Sequence, residues 1–193
     1  MLPRRPGSGS SSYGDSAFLG VINIITKKGR DIDGVQVGTE FGSHGWKRER
    51  VTLGKQFDNG LDLVLSASGM KSDGRRLPSG FVDDGSDLGK AENDRNQRYF
   101  IKALYHGWTI ESGRSERVAP MSDQHLTDTN SFATLRYDNE LSDTFKSSTN
   151  LYYGSYRYAN QKPDGSFTHS GGSWRGIDSK LVSTWFDGHT LVL

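Results

Sequence analysis

The chain has 193 residues, 33% of them hydrophobic and 11% aromatic, with 24 glycines and no cysteine. Without cysteine there is no disulfide framework, thiol nucleophile or thiolate metal site, and a net charge of +1 supplies no broad basic field for nucleic acid. A mean hydropathy of −0.67 is low enough for disorder, but disordered chains are poor in aromatics, and a barrel strand needs an apolar residue only at alternate positions. No window approaches the roughly 18 consecutive apolar residues of a spanning helix.

Residues 1–12 are rich in Pro, Gly, Ser and Arg and show no periodicity and no apolar signal-like run. The next stretch ends in Val21-Ile22-Asn23-Ile24-Ile25-Thr26, a β-branched run that predicts a buried strand. Residues 30–34 read as a linker. From Val35 onward the chain alternates. Val35, Val37, Thr39 and Phe41 share one face of the first predicted strand, opposite Gln36, Gly38 and Glu40. A break at 43–45 leads to a second strand over 46–57, and Asp58-Asn59-Gly60 is a hairpin signal because Asn and Gly accept positive φ. Leu61, Leu63, Leu65 and Ala67 then oppose Asp62, Val64, Ser66 and Ser68.

A polar stretch over 73–96 precedes the fourth strand, where Tyr99, Ile101, Ala103 and Tyr105 oppose Arg98, Phe100, Lys102 and Leu104. His106-Gly107 turns into a fifth strand over 108–117, followed by a predicted loop over 118–130. Strands over 131–139 and 144–158 flank a turn at 141–143, and a second long loop is predicted over 159–173. An eighth strand over 174–186, a turn at Asp187-Gly188 and a ninth strand over 189–193 complete the pattern. Connections after even-numbered strands are tight and those after the third, fifth and seventh are long; the first, at 43–45, is an exception, short where the rule wants length. Soluble sandwiches have no reason to sort loops by parity, whereas outer-membrane barrels place short turns at one end and long loops at the other. Strands of about ten residues fit a tilted span. The aromatics Trp46, Phe57, Tyr99, Tyr105, Trp108, Tyr158, Trp174, Trp185 and Phe186 fall near predicted strand ends. They suit interfacial girdles, although ordinary strand-end packing explains any single one of them.

No constellation for chemistry appears. Gly7, Gly9 and Gly14 lack the Lys-Ser/Thr and following helix of a phosphate loop. His44, His106, His125, His169 and His189 are scattered without metal-ligand spacing. Asp83, Asp84 and Asp87 lack the spacing and terminal Glu of an EF-hand loop, and no Gly-x-Ser-x-Gly elbow exposes a nucleophile. The expectation is a non-enzyme with no catalytic residue, metal site or cofactor. Arg75 and Arg76, in the polar stretch, are the candidates for meeting an anionic ligand through charge-assisted hydrogen bonds.

The run Ser12-Tyr13-Gly14-Asp15-Ser16-Ala17-Phe18-Leu19-Gly20-Val21-Ile22-Asn23-Ile24-Ile25-Thr26-Lys27-Lys28-Gly29 closely resembles the end of the plug domain in TonB-dependent outer-membrane receptors. Members of that family carry a Tyr-Gly, a small/apolar Ala-x-x-Gly and then Val-Ile-Asn-Ile-Ile-Thr just before the barrel. Here the family's Arg-Gly-Pro element is scrambled into Arg5-Pro6-Gly7. The resemblance implies an all-β chain: a C-terminal plug remnant over 1–29, a linker over 30–34, and an antiparallel meander of about nine strands over 35–193 forming part of a transmembrane β-barrel. Family barrels have about 22 strands around a plugged lumen, so the expectation is a fragment of a receptor, not transport-competent alone. A full receptor would sit in the outer membrane of a Gram-negative bacterium, in contact with its lipid. It would import a bulky, scarce ligand of the ferric siderophore or corrinoid class, energised through TonB, whose contact segment is expected to be missing here. The alternatives are a small self-contained barrel of about eight strands with a structural or adhesive role, and a soluble carbohydrate-binding sandwich.

Overall fold

A computed structural model describes residues 4–6, 20–22, 24–74, 93–121, 124–162, 164–186 and 188–193. Two short strands, β1 (Arg4–Pro6) and β2 (Gly20–Ile22), pair antiparallel. The rest is one antiparallel sheet of nine strands: β3 (Gly34–Phe41), β4 (Lys47–Gln56), β5 (Asp62–Ser72), β6 (Asp94–Tyr105), β7 (Trp108–Met121), β8 (Gln124–Ser142), β9 (Phe145–Gln161), β10 (Phe167–Ser183) and β11 (Leu191–Val192). Each strand pairs with the next in the chain, so the sheet is a pure meander. It is open: β3 and β11 are its edges, and β3 makes no pairing with β10 as a closed barrel of about eight strands would require.

The turns follow their residues. His106 and Gly107 both hold positive φ, 44° and 82°, the geometry a two-residue hairpin needs to match the twist of its strands. Gly60, with φ of 87°, closes the Asp58-Asn59-Gly60 turn, where the Gly60 N–H reaches the Phe57 carbonyl at 2.9 Å.

Two predicted loops are corrected. Within 118–130, residues 118–121 and 124–130 are strand: β7 runs to Met121, β8 starts at Gln124, and pairing continues through Val118↔Thr127 and Ala119↔Leu126. Likewise β9 reaches Gln161 and β10 begins at Phe167, with Tyr158↔Ser170 and Ala159↔His169 in register inside the expected loop. Backbone ladders do not require apolar side chains. Where both faces of a hairpin are polar the hydrophobic alternation disappears while the hydrogen bonds continue, so periodicity under-reads the strand. With 19 residues in β8 and 17 in each of β9 and β10, these strands overrun the ~10 residues of a bilayer crossing.

The leader ahead of β3 also departs from expectation. The predicted strand over 21–26 is represented by β2, which ends at Ile22, and Ile24 and Ile25 are exposed at 73% and 77%. Within the expected linker, Gly29–Asp31 forms a 3-10 turn, fixed by Asp31 N–H to Lys28 O and Ile32 N–H to Gly29 O, both 3.1 Å. This turn rests on β4 and β5. A Cβ on Gly29 would lie 2.7 Å from the Lys55 nitrogen, and a Cβ on Gly54 would lie 2.6 Å from Ile32 Cβ. Both glycines are therefore required by close approach.

Among the described residues Val64 is the single buried hydrophobic, and the large apolar side chains are mostly exposed. The described sheet is thus one layer with no second sheet packed against its apolar side, unlike a soluble sandwich.

Candidate functional site

Register sorts the sheet into two chemically opposite faces. On the first, Leu63, Ala103, Ile110, Leu135, Leu151 and Ile177 are successive cross-strand partners, a continuous apolar row from β5 to β10. A second row runs Val35, Leu53, Leu65 and Ile101 over β3–β6. Toward the tight turns this face ends in the aromatic row Tyr105, Trp108 and Tyr137, the last two rings 4.5 Å apart. Toward the other end Tyr99 follows the apolar rows on β6. From Tyr99 to Tyr105 is six residue steps, about 20 Å along the strand.

The opposite face carries Thr52, Asp62, Ser66, Arg98, Lys102 and Glu111, and it is the face the leader occupies. Lys102 is 7% exposed and its ammonium meets the Glu111 carboxylate at 2.9 Å and the Thr26 hydroxyl at 2.7 Å. The Thr26 hydroxyl in turn donates to Glu111 Oε1 at 2.7 Å, closing a three-member ring of charge-assisted contacts. Lys102 and Glu111 are direct partners across β6 and β7, so the pair is set by register before the leader arrives.

Asp62, 4% exposed, makes the second attachment. Its two carboxylate oxygens accept the backbone N–H groups of Gly29 and of Arg30, the latter at 3.2 Å. A buried carboxylate is costly unless it is hydrogen-bonded, and the 3-10 turn supplies the donors. Replacing Gly29 by Ala is expected to lift this turn, because the new Cβ meets strand backbone that cannot rotate away. We expect a loss of about 1–3 kcal/mol, read as faster tryptic cleavage at Lys27 and Lys28.

Beyond this attachment lies a transverse row that alternates large and small: Phe100, Gly113, Phe132, Gly154, Trp174. The Phe132 ring covers Gly113 and the Trp174 indole covers Gly154, shielding backbone that glycine leaves bare. One row further, Arg50 and Arg98 flank Ser68, and Arg48 lies on the same face 3.6 Å from Glu40.

Of the residues singled out in the sequence, Arg75 and Arg76 lie outside the described residues, as do Tyr13, Gly14 and Asn23. Gly20, Val21 and Ile22 form β2, and Ile24 and Ile25 are solvent-exposed. Thr26 is the motif residue joined to the Lys102–Glu111 pair. Lys102, Glu111 and Asp62 were not anticipated. Their signal was present as opposite charges on the polar parity of neighbouring strands, legible only with the register in hand.

Among the described residues no group of three or more His, Asp or Glu is placed to hold a metal ion. No helix is long and apolar enough to cross a membrane, which says nothing of strands. No protein-family model matches the chain, and no curated protein matches it.

Proposed function

We propose that this chain is a section of barrel wall, with the adjoining end of a plug, from a TonB-dependent receptor of a Gram-negative outer membrane. The receptor would import a bulky, scarce ligand of the ferric siderophore or corrinoid class. The observation that carries the reading is the asymmetry of the sheet. The segment 26–33 is held on the polar face by Asp62, Lys102 and Glu111, while the other face leaves a belt of large apolar side chains bare. In water such a belt is a liability; in lipid it is the requirement, and the bordering aromatic row is where interfacial residues belong. The belt is narrow, which accords with the thinner than average bacterial outer membrane.

The likeness of residues 12–29 to the end of a receptor plug supports the same assignment, because that likeness stops where the sheet begins. On this reading the polar face lines the lumen, and Arg48, Arg50 and Arg98 are the described arginines on it that could meet an anionic ligand. The open edges at β3 and β11 leave unpaired backbone groups that further strands would satisfy.

The test is face-specific. Refolded into phosphatidylcholine vesicles, a variant retaining only Trp108, on the apolar face, is expected to be quenched strongly by chain-brominated lipid. A variant retaining only Trp174, on the polar face, is expected to be quenched little. Equal quenching of the two, or none of either, would overturn the assignment.

A further inference from the structure

The 3-10 turn of the leader does more than close on Asp62: it also walls a pocket. The cavity, of about 240 Å³, lies at the tight-turn end of the polar face, between the leader and the sheet. Lys28 and Arg30 line it from the leader, Gln56 from the end of β4, and His106 and Thr109 from the β6–β7 hairpin. Each of these side chains can donate a hydrogen bond.

Two carboxylates also reach the cavity, and each is already engaged. Asp62 gives its two oxygens to the backbone N–H groups of Gly29 and Arg30. Asp138 accepts both Nε and Nη2 of Arg136, at 2.9 and 2.7 Å, so its charge is matched from outside the pocket. Asp31, in the turn itself, folds back onto the Lys28 N–H at 2.8 Å. Lys28 and Arg30, by contrast, form no salt bridge among the described residues. One is a point charge and the other a planar fork, and the donors around them are neutral. That set suits a ligand with several anionic oxygens. A monatomic anion would leave most of the cavity and most of the donors unused.

We propose that this pocket binds a compact polyvalent oxyanion of the diphosphate kind, which bridges the leader to the β6–β7 hairpin. Lys28 and Arg30 stand on the leader while His106 and Thr109 stand on the sheet, so the ligand meets all its partners only when the leader is docked. Binding and docking are therefore linked. Whatever lifts the turn weakens the ligand, and the ligand holds the turn down. The site depends on the docked turn and is independent of which face of the sheet meets lipid.

Inorganic pyrophosphate is the probe, titrated calorimetrically into the full chain refolded in zwitterionic detergent micelles. An ion pair at a partly exposed site adds at most about fivefold in affinity, so K28Q/R30Q is expected to weaken binding about twentyfold. The leader stays docked in that variant, because Asp62 holds backbone N–H groups that the substitutions keep. The control K27Q/K55Q removes the same charge from nearby positions that do not line the pocket, and it is expected to bind like the unaltered chain. G29A keeps every charge but lifts the turn, and is expected to weaken binding at least as far as K28Q/R30Q. Saturating pyrophosphate is expected to slow tryptic cleavage at Lys27 in the unaltered chain and to have no such effect in K28Q/R30Q. No binding by the unaltered chain, or binding that survives K28Q/R30Q, would overturn the site. An equal loss in K27Q/K55Q would show diffuse attraction to a basic end of the sheet and would overturn it too. Binding that G29A leaves intact would overturn the bridge to the leader.

Discussion

Leu135→Arg is expected to block insertion of the chain into a bilayer, while Thr134→Arg, one residue away, leaves insertion nearly unchanged. Leu135 stands mid-belt, between its partners Ile110 and Leu151, and a guanidinium there faces acyl chains. The cost of Arg at the middle of a barrel's lipid face is about 2–4 kcal/mol. Thr134 belongs to the other face, between Glu111 and Tyr152, where a cation finds a carboxylate neighbour. Both substitutions add the same side chain and the same charge, so net charge cancels between them. Urea-dependent folding into vesicles, followed by gel migration with and without heating, measures the difference. A shared defect would point to a sheet whose two faces meet the same solvent, and the membrane reading would fail.

The difference between these two positions was available in the sequence, since strict alternation assigns a face to each residue of a strand. The facing of β3, β5 and β6 was legible because one side of each carries no charge and is mostly apolar: Val35, Val37, Thr39 and Phe41; Leu63, Leu65 and Ala67; Tyr99, Ile101 and Ala103. The turns at Asp58–Gly60 and His106–Gly107 were legible because so few residues accept positive φ. The full reach of β7 to β10 was not. Val118-Ala119-Pro120-Met121 is an apolar run without alternation and holds a proline, which argues against a strand, while residues 124–130, 159–161 and 167–173 are mostly polar, so no hydrophobic period marks strands whose stability lies in their ladder. The attachment of the leader was hidden for a different reason. Thr26 and Glu111 are 85 residues apart, and only the register connecting β6 to β7 brings Lys102 into line with both.

Removing the Glu111 carboxylate is expected to release the leader and to cost more than removing its partner. Glu111→Ala strands the Lys102 ammonium, whose side chain is 9% exposed, with a hydroxyl and a carbonyl but no counter-charge. Breaking a fully buried pair in this way costs about 3–5 kcal/mol; Glu111 keeps 26% of its side-chain surface, so about 2–3 kcal/mol is expected here. Lys102→Met removes the more buried charge and leaves a carboxylate that solvent still reaches, so its cost is smaller, on the order of 1–2 kcal/mol. The double variant Lys102→Met with Glu111→Ala has no stranded charge and is expected to recover part of the loss, giving a coupling that a double-mutant cycle reads directly. Thr26 supplies the functional readout, since its hydroxyl bridges the pair. A nitroxide on Ile25, attached through an introduced cysteine in this cysteine-free chain, is expected to be slowed by the intact attachment and to become mobile in the Glu111→Ala variant. Asp62 still holds Gly29 and Arg30 in that variant, so the released portion ends near Lys28 and a label on Asp33 stays slow. Equal mobility at both positions would mean the two attachments act as one. A rigid label at Ile25 in the variant would mean the Lys102–Glu111 pair does not hold the leader at all.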